Sequence, residues 1–193
     1  MSISRREIIN LLTARLDEKR LQHSLGAEKE AVRLAAHHRA DWQKAGLAAL
    51  VHDICRCDCT QWQQNYLRTH SVRLSKEWQH DPQLWHGPCA AVYIRRELGI
   101  TDREIIRAVH WHTTGCTGMT ALDKVVFLAD KIEPTRKYPK VRQLRKYAYD
   151  CLDKAIVLAL GQTITRLSKA GQPLVKEATG AYNELLMTLK EKG

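Results

Sequence analysis

The sequence predicts an all-α fold, on three observations. Leu, Ala, Arg, Lys, Glu and Gln dominate the composition, Phe occurs once, and Gly and Pro number only 10 and 5. Apolar residues recur at helical spacing, and nowhere does the chain alternate with the period of two that a half-buried strand requires. Ser4-Arg5-Arg6-Glu7 and Thr101-Asp102-Arg103-Glu104 both have the Ser/Thr-x-x-Glu form of a capping box. At 193 residues and 44% hydrophobic, the chain is long enough to bury one core, and a single domain over 1–193 is expected.

The elements follow in order. The first capping box opens a helix through about Leu16, with Ile8, Leu11 and Leu12 on one face. After a charged turn His23 stands at the start of a second helix, which continues past Val32 and Leu34 towards His38. A third begins near Asp41 and carries Leu47, Leu50, Val51 and the doublet His52-Asp53. Thr60–Thr69 reads as a short polar helix. His70–Trp85 is the least regular stretch, a candidate mobile loop over a site. A helix from His86-Gly87-Pro88 stops at Gly99, and the Thr101 capping box starts the next, which Thr113-Thr114-Gly115 ends. Thr120 caps an apolar helix around Asp130, terminated by Glu133-Pro134. Two or three more helices complete the chain, about 139–190, with Gly161, Gly171 and Pro173 as interruptions.

No apolar run is long enough to span a bilayer, and Met1-Ser2-Ile3-Ser4 lacks a signal-peptide core, so the cytoplasm is the expected location. Six cysteines are too few for a secreted disulfide scaffold, and Cys55, Cys57 and Cys59 do not form a paired C-x-x-C zinc site. The net charge of +10 asks for a polyanionic partner: nucleic acid, an acidic membrane surface or a polyanionic small substrate. Seven basic residues fall between Lys131 and Lys146 against one acid, Glu133, a run whose ordinary explanation is a solvated helix face.

The doublet His52-Asp53 follows the uncharged run Ala45-Gly46-Leu47-Ala48-Ala49, where charge is costly unless it is paired or metal-bound. Alone it reads equally as a structural hydrogen bond. Asp130 lies in a helix apolar almost all round and should be buried, which is rare for an unsatisfied aspartate. His23, His86 and His112 each adjoin small or turn-forming residues. Together these six supply four imidazoles and two carboxylates, a mixture suited to Fe, Mn, Co or Zn rather than Mg or Ca. His110 is set aside, because residues two apart on a helix point about 200° apart and His112 shares the inward face of Ile105 and Val109. His37 and His38, beside Arg39, read as surface residues.

His23…His52-Asp53…Asp130 resembles the H…HD…D signature of the HD-domain metal-dependent phosphohydrolases. More narrowly, five ordered blocks look like the YqeK family: His23-Ser24-Leu25-Gly26, Val51-His52-Asp53-Ile54, Leu84-Trp85-His86-Gly87-Pro88, His112-Thr113-Thr114-Gly115, and Leu122-Asp123-Lys124 with Phe127 to Pro134. The match runs from about residue 5 to Glu184. The resemblance implies an HD-type helical bundle with a metal-site core over about 20–135 and the site between central helices. It further implies a bacterial symmetrical bis(5′-nucleosyl)-tetraphosphatase that hydrolyses diadenosine tetraphosphate to two ADP at two divalent transition-metal ions. Iron is the metal implied first, with Mn, Co or Zn as alternatives. By the same resemblance His23, His52, Asp53 and Asp130 hold one ion, and His86 and His112 hold the second, with Asp53 bridging. Two positions depart: Arg56 stands where the family usually has Lys, and Thr135-Arg136 where it has Gly-Arg.

The expected chemistry is attack of a metal-bridging hydroxide on a phosphorus of the central anhydride, with ADP leaving as an anion. Asp53 and Arg56 are the expected catalytic residues. Arg56, Lys131 and Arg136 are candidates to bind phosphate, and Arg136 has the planar fork that fits it best. Thr113 either hydrogen-bonds a phosphate or caps its helix, with capping slightly preferred. Two rivals stay open: an HD-type phosphohydrolase acting on a dNTP, nucleoside monophosphate or cyclic nucleotide, and behind it a basic nucleic-acid-binding protein. The latter lacks any recognisable binding motif. No membrane partner is expected, and a homodimer is left open.

Overall fold

Ser4 starts the first helix as its sequence implies: its hydroxyl accepts from the Glu7 amide at 3.3 Å, and the Glu7 carboxylate accepts from the Ser4 amide at 2.8 Å. The structure, a computed structural model, describes residues 3–191. Met1 and Ser2, part of the N-terminal stretch considered above, lie outside the described residues.

Eleven α-helices and no strand occur among the described residues. They are α1 (Arg5–Arg15), α2 (Glu18–His37), α3 (Trp42–Val51), α4 (Thr60–Thr69), α5 (Lys76–His80), α6 (His86–Arg96), α7 (Arg103–Trp111), α8 (Ala121–Ile132), α9 (Val141–Asp150), α10 (Leu152–Lys169) and α11 (Lys176–Glu191). A short 3-10 turn, Pro82–Leu84, precedes α6.

The centre is formed by α2, α3 and α8, in mutual contact around Leu34, Leu50, Val125, Phe127 and Leu128, all 1% exposed or less, with α7 packed on α3 and α8. Phe127, the single Phe of the chain, is fully buried. The α2–α3 contact depends on Gly46, where a Cβ would stand 2.9 Å from Val32 Cγ2. Helices α9 to α11 close the far side, α10 against α8, α9 and α11.

Three expectations change. The helix before His112 is capped by Asp102, whose carboxylate accepts from the Glu104 and Ile105 amides; the Thr101 box does not form. An aspartate one residue nearer the helix reaches the same orphan amides, and a helix has room for only one N-cap. Gly161 does not interrupt a helix but lies inside α10, where a Cβ would meet the Tyr182 ring of α11 at 3.4 Å. The break comes instead at the extended residue Cys151.

The stretch 70–85 is not a bare loop. It contains α5 and the 3-10 turn and is pinned by two buried tryptophans: Trp85 donates to the Trp78 carbonyl at 2.7 Å, and Trp78 donates to Glu177 of α11 at 3.0 Å. His37 and His38 do lie at the surface, exposed and half-buried, where they reach the carbonyls of Tyr149 and Ala148 at 2.7 and 2.6 Å and close the C-terminal end of α9.

Candidate metal centre

Helix ends supply three of the four imidazoles, and the reason is electrostatic. The last carbonyls of a helix have no partner within it, and an imidazole N–H at the next position can satisfy one. His52, the C-cap of α3, donates Nδ1–H to Ala49 O at 2.6 Å, and His112, the C-cap of α7, does the same to Val109 O at 2.7 Å. His86 begins α6 directly after the 3-10 turn and donates Nδ1–H to Gln83 O at 2.7 Å. The doublet therefore ends its helix rather than lying within it, and Asp53 follows in the irregular turn. His23 differs: it stands in the second turn of α2, and its Nδ1 faces Glu133 Oε1 at 3.0 Å.

With each Nδ1 proton directed outward, all four Nε2 atoms carry lone pairs that face one common space. His23 and His52 approach to 3.2 Å and His86 and His112 to 3.1 Å, nitrogen to nitrogen. Neutral imidazoles in that tautomer repel at such distances, so the arrangement favours a cation between them. Asp53 stands between the two pairs. Its Oδ2 lies 3.5 Å from His52 Nε2 and 3.8 Å from His23 Nε2, while Oδ1 lies 3.3 Å from His86 Nε2 and 3.7 Å from His112 Nε2. Asp130 joins the first pair, with Oδ1 3.0 Å from His23 Nε2 and 3.8 Å from His52 Nε2. Two overlapping groups with metal-binding spacing result: His23, His52 and Asp130, and His52, Asp53 and His112.

Close backbone approach makes this convergence possible. At Gly87 a Cβ would stand 2.8 Å from His110 O, so glycine there lets α6 bring His86 against His112. At Gly26, one turn after His23, a Cβ would stand 2.8 Å from Glu133 Oε2.

Charges follow from the packing. Burial opposes ionisation of both carboxylates, yet the imidazoles around Asp53, and Lys131, His23 and Arg136 around Asp130, hold both well below the usual carboxylate range. Burial pushes His52 down to about 4 and lowers His112. His23 goes the other way, because Asp130 and Glu133 outweigh its burial. His52 and His112, buried neutral beside ionised aspartates, are ready donors for a divalent ion, and each has an outward N–H with the acceptor that fixes a ligand ring.

Basic side chains rim the cluster. Arg136 Nη2 meets Asp130 Oδ1 at 2.5 Å while its Nε donates to Asp130 O at 2.8 Å. Lys131 Nζ lies 3.5 Å from Asp130 Oδ2, over the Phe127 ring, and burial lowers its pKa. Arg56 is not brought to the cluster; it donates to Gln83 Oε1 at 2.7 Å, on the residue whose carbonyl orients His86. Thr113 does not cap: its buried hydroxyl has no hydrogen-bond partner among the described residues, which leaves it free beside His112. Asp130 itself is less enclosed than its helix suggests, with 14% of its side chain exposed towards this rim.

Two residues escape the sequence reading. Arg20 places Nη1 3.0 Å from Asp53 Oδ2, and Glu133, read only as a helix stop, orients His23. Spacing carried a signal for both, since Arg20 precedes His23 by three and Glu133 follows Asp130 by three, one helical turn in each case. His110 stays outside, packed on Trp111 at a ring distance of 4.2 Å.

The comparisons with known proteins agree with this geometry. A family model described as HD domain matches residues 20–135. A symmetrical bis(5′-nucleosyl)-tetraphosphatase of Halalkalibacterium halodurans is 37% identical over 188 residues, covering 97% of this chain and 100% of the relative. One of the same name from Bacillus subtilis is 33% identical and covers 95% and 98%. A crystal structure from Clostridium acetobutylicum, described as a predicted HD superfamily hydrolase involved in NAD metabolism, superposes with a TM-score of 0.95 at 32% identity over 97% of this chain and 100% of that one. With its His/Asp cluster suited to a divalent metal, the chain belongs to the HD-domain family, among the symmetrical bis(5′-nucleosyl)-tetraphosphatases.

Proposed function

We propose that the protein hydrolyses diadenosine tetraphosphate symmetrically to two ADP, and that His23, His52, Asp53 and Asp130 hold one divalent ion while His86, His112 and Asp53 hold a second. The observation that carries this reading is the position of Asp53, whose two oxygens each face one pair of imidazole nitrogens. The name shared by the curated relatives supports the substrate. The donor set of imidazole and carboxylate supports iron, and the same ligands accept Mn, Co or Zn. Six free cysteines suit a reducing cytoplasm.

Two divalent metal ions held by these residues would supply charge neutralisation on the phosphates and an activated water at neutral pH. The chain does the rest. Arg136 offers a planar fork to phosphate oxygens, Lys131 a point charge, and Arg20 a guanidinium already beside Asp53. Thr113 contributes its free hydroxyl. Arg56 acts as a positioning residue through Gln83 and His86. ADP leaves as an anion stabilised by these cations, so no proton donor is required of the protein.

The test combines metal content, products and one variant. Purified protein is expected to contain about two transition-metal ions per chain and to form ADP as the sole nucleotide. Asp53→Ala should keep the helical spectrum and lose turnover; an active Asp53→Ala protein overturns the mechanism. Two metals without ADP would move the substrate to another phosphate ester.

A further inference from the structure

Beside the metal cluster, on the side of Arg136, a cleft of about 610 Å³ opens between the loop 134–140 and the start of α9. That volume falls within the ~300–1,000 Å³ of small-ligand sites. Its lining includes five cations, Arg136, Lys137, Lys140, Arg142 and Arg145, and no acid. Two of the five are committed. Arg136 holds Asp130, and Arg145 donates to the carbonyls of Ile132, Glu133 and Arg136, which fixes the loop. Lys137, Lys140 and Arg142 are exposed and make no ion pair among the described residues. Three unneutralised charges around one concavity repel one another and gain when an anion enters.

The cleft is also tied to the cluster. Tyr138 lines it and donates its hydroxyl to Lys131 O at 2.7 Å, so the same short wall, Lys131 to Tyr138, separates the cleft from Asp130. Tyr138, Pro134 and Pro139 give the lining an aromatic and apolar part, which a bare phosphate does not need and a nucleoside does.

We propose that this cleft is a nucleoside diphosphate subsite, holding one half of the dinucleotide while the central phosphates lie over the metal cluster. The proposal rests on the reading of the substrate given above. A symmetrical substrate presents two equal halves, and on the Arg136 side the protein offers unpaired cations around a space of ligand size.

The test uses the metal-loaded protein and the triple variant Lys137→Ala, Lys140→Ala, Arg142→Ala, whose positions are exposed and leave the core intact. By calorimetry the parent should bind two ADP per chain and the variant one. On diadenosine tetraphosphate the KM of the variant should rise about 10- to 100-fold with kcat within about twofold, since solvated charges contribute a factor of a few each and act on ground and transition states alike. The charge-keeping variant Lys137→Arg, Lys140→Arg should restore the second ADP. One ADP per chain in the parent, or equal ADP binding and KM in parent and variant, overturns the subsite while leaving the hydrolase reading in place. A parent that forms no ADP overturns the hydrolase reading, and the cleft is then judged by ADP stoichiometry alone. Pyrophosphate bound by the cleft as tightly as ADP would overturn the nucleoside assignment.

Discussion

Glu133 Oε1 lies 3.0 Å from His23 Nδ1, joining the C-cap of α8 to the second turn of α2. Glu133 is fully buried and its other side-chain partners, the Thr135 amide and hydroxyl and Arg136 Nε at 3.8 Å, are local. Interactions with His23 and Thr135 hold its carboxyl below the usual range against the effect of burial, so it is an ionised acceptor. Glu133→Gln should keep the fold and lower metal affinity about 10- to 100-fold, as removal of a ligand-orienting partner does elsewhere. Competition with a chelator measures this; unchanged affinity would show that His23 needs no orientation.

Gly26 is the second half of that contact. Gly26→Ala places a Cβ 2.8 Å from Glu133 Oε2. Overpacking costs about 1–3 kcal/mol and helix propensity returns about 1, for a net loss of about 0–2 kcal/mol. Metal affinity should fall alongside Glu133→Gln, and the double variant should show less than the sum of the two, because both act on one side chain.

Trp78 holds the stretch 70–85 to α11. Trp78→Ala should destabilise the protein by about 3–5 kcal/mol or release that stretch locally. Thermal melting reads the first outcome and limited proteolysis between residues 70 and 85 the second. If neither changes, the tryptophan contact with Glu177 holds nothing in place.

Burial pushes His110 down to about 4 from its ordinary 6.5, so the folded protein holds it neutral where the unfolded chain protonates it. The sign follows: between pH 6.5 and about 4 the unfolded state binds the extra proton, and stability falls as pH falls, by up to about 1.4 kcal/mol per pH unit from this one group. His52 and His112 add slopes of the same sign in metal-free protein. His110→Phe should therefore flatten the acid limb of a urea-stability profile without abolishing it; an unchanged slope would count against a neutral His110.

Much of the fold was legible because its boundaries are made by local chemistry. Ser4, Asp41, Thr120 and Pro134 act on neighbours one turn away, and the predicted helices begin and end there. Thr101 misled because Asp102 competes for the same amides, a contest the pattern alone does not resolve. Gly161 misled because a glycine that admits a neighbouring helix looks identical, in sequence, to one that ends its own. The gathering of His23, His52, Asp53, His86, His112 and Asp130 followed from their residue types and the family likeness. For Arg20 and Glu133 the one-turn spacing from His23 and Asp130 was the sole signal, and it is weak, since a half-buried arginine and a helix-terminal glutamate are ordinary until the partner across the fold is known. Arg56, by contrast, adjoins the doublet in sequence but points along the turn to Gln83, away from it.

Three of the four imidazoles take their orientation from a carbonyl three positions earlier in their own chain, at Ala49, Gln83 and Val109, and one takes it from a residue far along the sequence. Their vulnerabilities are therefore unequal. Damage remote from His52, His86 or His112 leaves each ring aimed as long as its own turn survives. His23 alone depends on the register between two distant helices, so a slight slip of α8 along α2 would disarm one corner of the centre while the other three stayed set. Of the four ring orientations, only that of His23 hangs on a contact between distant helices, and that contact is made by Glu133.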